Sequence, residues 1–187
     1  GFELGQALAA WAEQIDLELE LDGYRVPRFE STTGESSEKL FERLTQEGFE
    51  RLYPEATEVE RERLEYERGI IQQMGFVDYF LITWDIIRYS MSRGFYHVGR
   101  GSGANSVVAY CLKITDVDPI ELDLYFERFI NPKRTSPPDF DIDYSWKERD
   151  EVLDYIFKRY SEKYTSLLGT MSTFRDRSIV RELGKVY

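Results

Sequence analysis

The sequence predicts an α+β fold on three observations. Apolar residues recur at helical spacing through several long segments. The most apolar of these, residues 78–93, is long enough for a buried helix. Strand-like patterning is confined to short stretches, above all residues 139–144, where polar and apolar side chains alternate.

In chain order, residues 4–20 read as a helix that runs into an acidic stretch alternating with leucine, Leu17-Glu18-Leu19-Glu20-Leu21, and Asp22-Gly23 signals a turn. Residues 24–37 form a loop. Ser37 is placed to cap a helix from Glu38 to about Tyr53, with Leu40, Leu44 and Phe49 on one face, Gly48 a weak point and Pro54 the break. A charged helix from Glu58 to Met74 follows, capped by Thr57; its alternating Glu and Arg read as a solvated face. The apolar helix at 78–93 stops at Arg93-Gly94, where glycine is the expected helix end. Next come a strand over Phe95–Val98, a glycine-rich turn, and a helix from Gly103 to Leu112. Residues 120–130 are helical in their second half, ended by Asn131-Pro132. The strand at 139–144 is followed by an amphipathic helix from Lys147 to about Tyr164, a short strand over Ser166–Met171 and a last helix over Phe174–Val186.

At 187 residues and 42% hydrophobic, the chain can bury a core of one domain's size. It has no apolar run near bilayer length and no signal-peptide pattern, so no membrane partner is expected. A single cysteine, Cys111, excludes a disulfide framework and a multi-cysteine zinc site and points to the cytoplasm. The net charge of −11 argues against nucleic-acid binding when read as an average. The average conceals a division: residues 1–75 carry −10, residues 76–187 carry −1, and residues 158–185 carry a local +4.

Two motifs can carry chemistry. In Pro138-Asp139-Phe140-Asp141-Ile142-Asp143-Tyr144, a strand sets the three carboxylates on one face and the apolar side chains on the other. Crowded carboxylates repel, and a bound cation relieves that repulsion. Hard oxygen ligands at this spacing suit paired Mg²⁺ ions in phosphoryl and nucleotidyl transfer, and two of the three aspartates suffice. An EF-hand start is the poorer reading, since its sixth position is glycine and here is Tyr144; an edge strand with a solvated polar face is the bland one. The second motif, Gly99-Arg100-Gly101-Ser102-Gly103-Ala104-Asn105-Ser106, matches neither the P-loop nor the dinucleotide fingerprint. Its backbone N–H groups, the Ser102 hydroxyl and the Arg100 guanidinium suit a β/γ-phosphate, against the plain alternative of a tight turn before a helix. Together, with Arg128, Lys133 and Arg134 between them, the motifs supply triphosphate grip and metal ligands in one domain. His97, the only histidine, and Cys111 read as structural, and the aromatic residues around Trp84 as core.

The sequence resembles the alpha subunit of bacterial DNA polymerase III, the C-family replicative polymerases. The resemblance rests on Arg63-Leu64-Glu65-Tyr66-Glu67, on Met74 through Ile82, on the Gly99–Asn105 turn, and on Val108-Ala109-Tyr110 and Leu112 through Pro119. Phe126 through Pro132, Pro138 through Tyr144, Gly169-Thr170-Met171 and Ile179 through Val186 complete it. It implies a palm of the polymerase beta-like nucleotidyltransferase type, a mixed sheet backed by helices, over residues 61–187, running into the start of a thumb, with residues 1–60 a mostly helical connecting segment. It implies Asp141 and Asp143 as catalytic metal ligands for two Mg²⁺ ions, with Mn²⁺ an alternative. Gly101 and Ser102 become the dNTP phosphate contact, supported by Arg100, Arg128 and Arg134, with Asp139 behind the ligands; Lys113 matches without a role. The reaction implied is template-directed nucleotidyl transfer from a dNTP to a primer 3′-OH, with primer–template DNA, a sliding clamp and other replicase subunits as partners. The family's third catalytic aspartate lies beyond a thumb insertion, so the chain is expected to be a fragment with little activity alone. Another Mg²⁺-dependent nucleotidyltransferase with the same palm, or a noncatalytic binding module, are the competing classes.

Overall fold

The computed structural model describes residues 27–131, 138–171, 173 and 175–186, with residues 5, 6, 8, 11 and 12 of the N-terminal segment. The Leu17–Leu21 stretch, the Asp22-Gly23 turn, Lys133 and Arg134 lie outside the described residues.

Helix α1 spans Ser37–Leu52 and is capped one residue earlier than the sequence suggests, with the Ser36 hydroxyl accepting from the Lys39 N–H at 3.4 Å. Helix α2, Glu58–Gln73, opens with a capping box in which the Glu60 carboxylate accepts from the Thr57 N–H at 2.9 Å. Helix α3, Val77–Ser92, ends at Arg93-Gly94, where Gly94 adopts φ 76°. Strand β1, His97–Arg100, leads through a 3₁₀ turn at Gly101–Asn105 into the short helix α4, Val107–Cys111. A second 3₁₀ turn covers Phe126–Arg128; strand β2 is Asp141–Tyr144, helix α5 is Arg149–Tyr160 and helix α6 is Asp176–Leu183. The α+β class therefore holds, with helices dominant.

Several boundaries move for identifiable reasons. β1 lies two residues later than expected because its partner sets its extent: it pairs antiparallel with β2, from His97 opposite Tyr144 to Arg100 opposite Asp141. The helix after the glycine turn begins at Val107 rather than Gly103, where the Ser106 hydroxyl accepts from the Ala109 N–H at 3.1 Å. The second half of 120–130 makes only the 3₁₀ turn, and α5 stops at Tyr160, with Ser161 at φ 63°. Ser166–Met171 forms no strand; Leu167, Leu168 and Met171 are exposed, and alternation without a partner strand does not suffice. Among the described residues the sheet is accordingly two antiparallel strands rather than a mixed sheet.

Near-continuous apolarity places α3 in the middle, packed between α1 and α5, while α4 is held by α1 and α2. Gly48 owes its place to this packing, since a Cβ there would lie 2.2 Å from the Cys111 carbonyl oxygen. Phe80, fully buried, meets Phe41, Phe129 and Phe140 at ring-centroid distances of 6.1, 6.0 and 5.2 Å; burial of one such ring contributes about 1.5–3 kcal/mol. Phe140 also stacks on Tyr79 at 5.4 Å, and its N–H donates to the Tyr79 hydroxyl at 2.8 Å. The residue before β2 thus anchors the carboxylate strand to the core.

No helix of the described residues is long and apolar enough to cross a membrane.

Candidate active site

The alternation in β2 is realised in space. Asp141 and Asp143 are exposed while Ile142 and Tyr144 are half-buried, and the Tyr144 hydroxyl meets the Ser90 hydroxyl at 2.9 Å. Asp139, also exposed, stands before the strand. Cross-strand pairing sets Val98 and Arg100 on the same face as the two carboxylates. The Arg100 Nε lies 2.8 Å from Asp143 Oδ2, one step diagonal to its paired residue Asp141.

The glycine turn closes against this face. Gly101 adopts φ 74°, and a Cβ at that position would lie 2.7 Å from Asp141 Oδ2, so any side chain there strains the backbone and pushes the carboxylate aside. At Gly103 a Cβ would meet the Phe140 ring at 2.7 Å. Gly101, Ser102, Ala104 and Asn105 line an open cleft of about 470 Å³ with Leu124 and Arg128. The structure thus brings Asp141, Asp143, Arg100 and Gly101 together and sets Gly101 and Ser102 with Arg128 along the adjoining cleft, while Arg134 lies outside the described residues. Lys113 lines a separate groove with Arg51 and Trp84.

The turn is held from behind by α2, whose charge pattern reads in the sequence as a solvated face. Glu67 is fully buried; its carboxylate accepts from Arg63 Nε at 2.7 Å, from the Ser106 hydroxyl at 2.8 Å and from the Val108 N–H at 3.2 Å. Burial pushes the Glu67 carboxyl up, against the opposing hydrogen bonds from Arg63, the backbone and Ser106. Arg63 Nη2 donates to the carbonyls of Asn105 at 3.1 Å and Leu124 at 2.9 Å, which clamps both walls of the cleft. Asn105 in turn donates from Nδ2 to the Ser102 carbonyl at 2.8 Å. Arg68 is also buried, donating to Thr45 Oγ1 and the Glu42 carbonyl. Charge alternation on a helix looks the same whether one face is solvated or buried, so the only signal for Glu67 was its place in a string resembling the polymerase family.

The structural readings of His97 and Cys111 hold. His97 is buried and its Nε2–H donates to the Lys113 carbonyl at 3.0 Å, fixing the tautomer. Burial pushes the Cys111 thiol up to about 12, which makes it an inert core residue.

No cluster of three or more metal-ligating side chains occurs among the described residues. The fit to divalent cations therefore rests on the Asp141–Asp143 pair, whose donor chemistry suits hard ions and whose carboxylates face solvent on one strand face.

An α+β domain with two strand carboxylates beside a glycine turn and an open, partly cationic cleft offers oxygen ligands to a cation and donors to an anion side by side. The family described as the bacterial DNA polymerase III alpha NTPase domain matches residues 39–187, and the chain belongs to it. An error-prone DNA polymerase of Symbiobacterium thermophilum is 44% identical over 94% of this chain. The DNA polymerase III subunit alpha of Escherichia coli K12 is 48% identical over 67% of it, and that of Bacillus subtilis 39% identical over 97%. The chain spans 16%, 11% and 16% of the lengths of these relatives, respectively.

Proposed function

We propose that this chain supplies the palm, of the polymerase beta-like nucleotidyltransferase type, to a bacterial DNA polymerase of its relatives' length. In that polymerase it catalyses template-directed transfer of a nucleotide from a dNTP to a primer 3′-OH in the cytoplasm, alongside a sliding clamp and other replicase subunits. The observation that carries the reading is the Arg100-Gly101-Ser102 turn set against the carboxylate strand: Arg100 shares the face of Asp141 and Asp143, Gly101 closes on the Asp141 carboxylate, and Gly101 and Ser102 line the cleft.

Asp141 and Asp143 would hold two Mg²⁺ ions, which when bound supply Lewis acidity to the attacking and leaving oxygens. Ser102 and the turn's backbone would orient the triphosphate, and Arg128 would donate to its oxygens from the opposite wall. Glu67 and Arg63 keep both walls in register, so phosphate binding needs little reorganisation.

Primer extension by the full-length polymerase tests this. Asp141→Asn and Asp143→Asn are each expected to lower kcat by more than about 100-fold, since even outer partners of a metal ligand are worth 10–100-fold. Retention of template-dependent synthesis by either variant would refute the assignment.

A further inference from the structure

We propose that Arg100 is a resident counter-ion of the carboxylate pair: it opposes divalent-cation binding and, once displaced, turns to the polyphosphate, so that its removal affects the two ligands in opposite directions. This rests on the reading of Asp141 and Asp143 as metal ligands.

Arg100 stands directly across the strand pair from Asp141, yet its guanidinium reaches diagonally to Asp143 Oδ2 at 2.8 Å. It therefore stands on the carboxylate face and bonds an oxygen of Asp143 that a cation needs. Both partners are more than half exposed, at 61% and 57%, which makes the ion pair weak and readily surrendered. A divalent ion carries twice the guanidinium's charge and takes carboxylate oxygens at close range. Displacement frees the guanidinium on the residue that precedes Gly101, which lines the cleft with Ser102 and Arg128. There its planar fork suits phosphate oxygens. Linkage then requires that each ligand favour the other.

The test uses Mn²⁺ bound by the chain, followed by electron paramagnetic resonance of the free ion without nucleotide, and Mg²⁺–dATP bound at saturating Mg²⁺, followed by calorimetry. Arg149→Gln, at an exposed position on α5, controls for the change in net charge. Arg100→Gln is expected to tighten Mn²⁺ about five-fold relative to Arg149→Gln and to weaken Mg²⁺–dATP by a similar factor. Equal Mn²⁺ affinities in the two variants, weaker Mn²⁺ in Arg100→Gln, or unchanged nucleotide affinity would overturn the proposal. Asp143→Asn separates the two failures. If it leaves Mn²⁺ binding intact, the metal-ligand reading is wrong; if it removes binding while Arg100→Gln matches the control, only the counter-ion role is wrong.

Discussion

Gly101 joins backbone geometry to chemistry at a single residue. Its φ of 74° is one that a side chain makes costly, and the Asp141 carboxylate occupies the space a Cβ would need. Gly34 separates these two effects, because it has φ 76° in an exposed turn where a Cβ would meet nothing within 4 Å. Gly34→Ala and Gly101→Ala should each lose about 1–2 kcal/mol of stability from backbone strain. Only Gly101→Ala should also weaken Mn²⁺ binding, by about ten-fold, as the Asp141 carboxylate is pushed aside. Denaturant titration and Mn²⁺ binding on the same pair of variants check this; equal Mn²⁺ affinities would mean that the Gly101–Asp141 approach carries no function.

Among the elements, α2 is where sequence and structure part most. Helix ends are legible to within a residue because they depend on local chemistry: a serine hydroxyl before α1, Ser36 where Ser37 is expected, Thr57 before α2, and the glycine after α3. The carboxylate face of β2 was legible because strand alternation leaves no choice of side. What the sequence withheld depends on partners: the start of β1, the unpaired stretch at 166–171, and the burial of Glu67 within a charge run that reads as a solvated face. The energetics of that burial are testable. Glu67→Leu leaves Arg63 without its carboxylate and orphans the Ser106 hydroxyl and the Val108 N–H. A loss of about 3–5 kcal/mol is expected, as for other broken buried pairs. Glu62→Leu, on the exposed side of the same helix, should stay within about 0.5 kcal/mol. Urea unfolding distinguishes them, and similar values would return α2 to the role of a solvated helix.

At the scale of the whole molecule, the chain's aromatic content ties its helices together through phenols rather than through greasy contacts alone. The Tyr155 and Tyr160 hydroxyls donate to the buried Asp85 at 2.7 and 2.9 Å, joining α5 to α3, and Tyr89 stacks on Tyr155 at 3.8 Å. Burial opposes ionisation of Asp85, but hydrogen bonds from Arg88, Tyr155 and Tyr160 prevail and hold its carboxyl below the usual range. Tyr53 donates to Asp118 at 2.8 Å, and Tyr79 fixes Phe140 ahead of the carboxylate strand. Burial pushes Tyr79 up to about 12; Tyr155 reaches about 12 through burial and its bond to Asp85, and Tyr53 and Tyr160 rise further through burial first and then their carboxylate partners, Asp118 and Asp85. In the unfolded chain these phenols ionise near pH 10. Above that pH the folded state binds more protons than the unfolded state, so stability falls as pH rises. The stabilisation is complete below about pH 10 and is lost progressively as pH climbs through the folded values near and above 12. Urea midpoints measured from pH 8 to 12 should therefore be flat at first and then decline. Tyr155→Phe should flatten the decline and lower stability at pH 8, where its hydrogen bond to Asp85 is missing. A midpoint that stays level through pH 12 would show that these phenols are not held protonated by the fold.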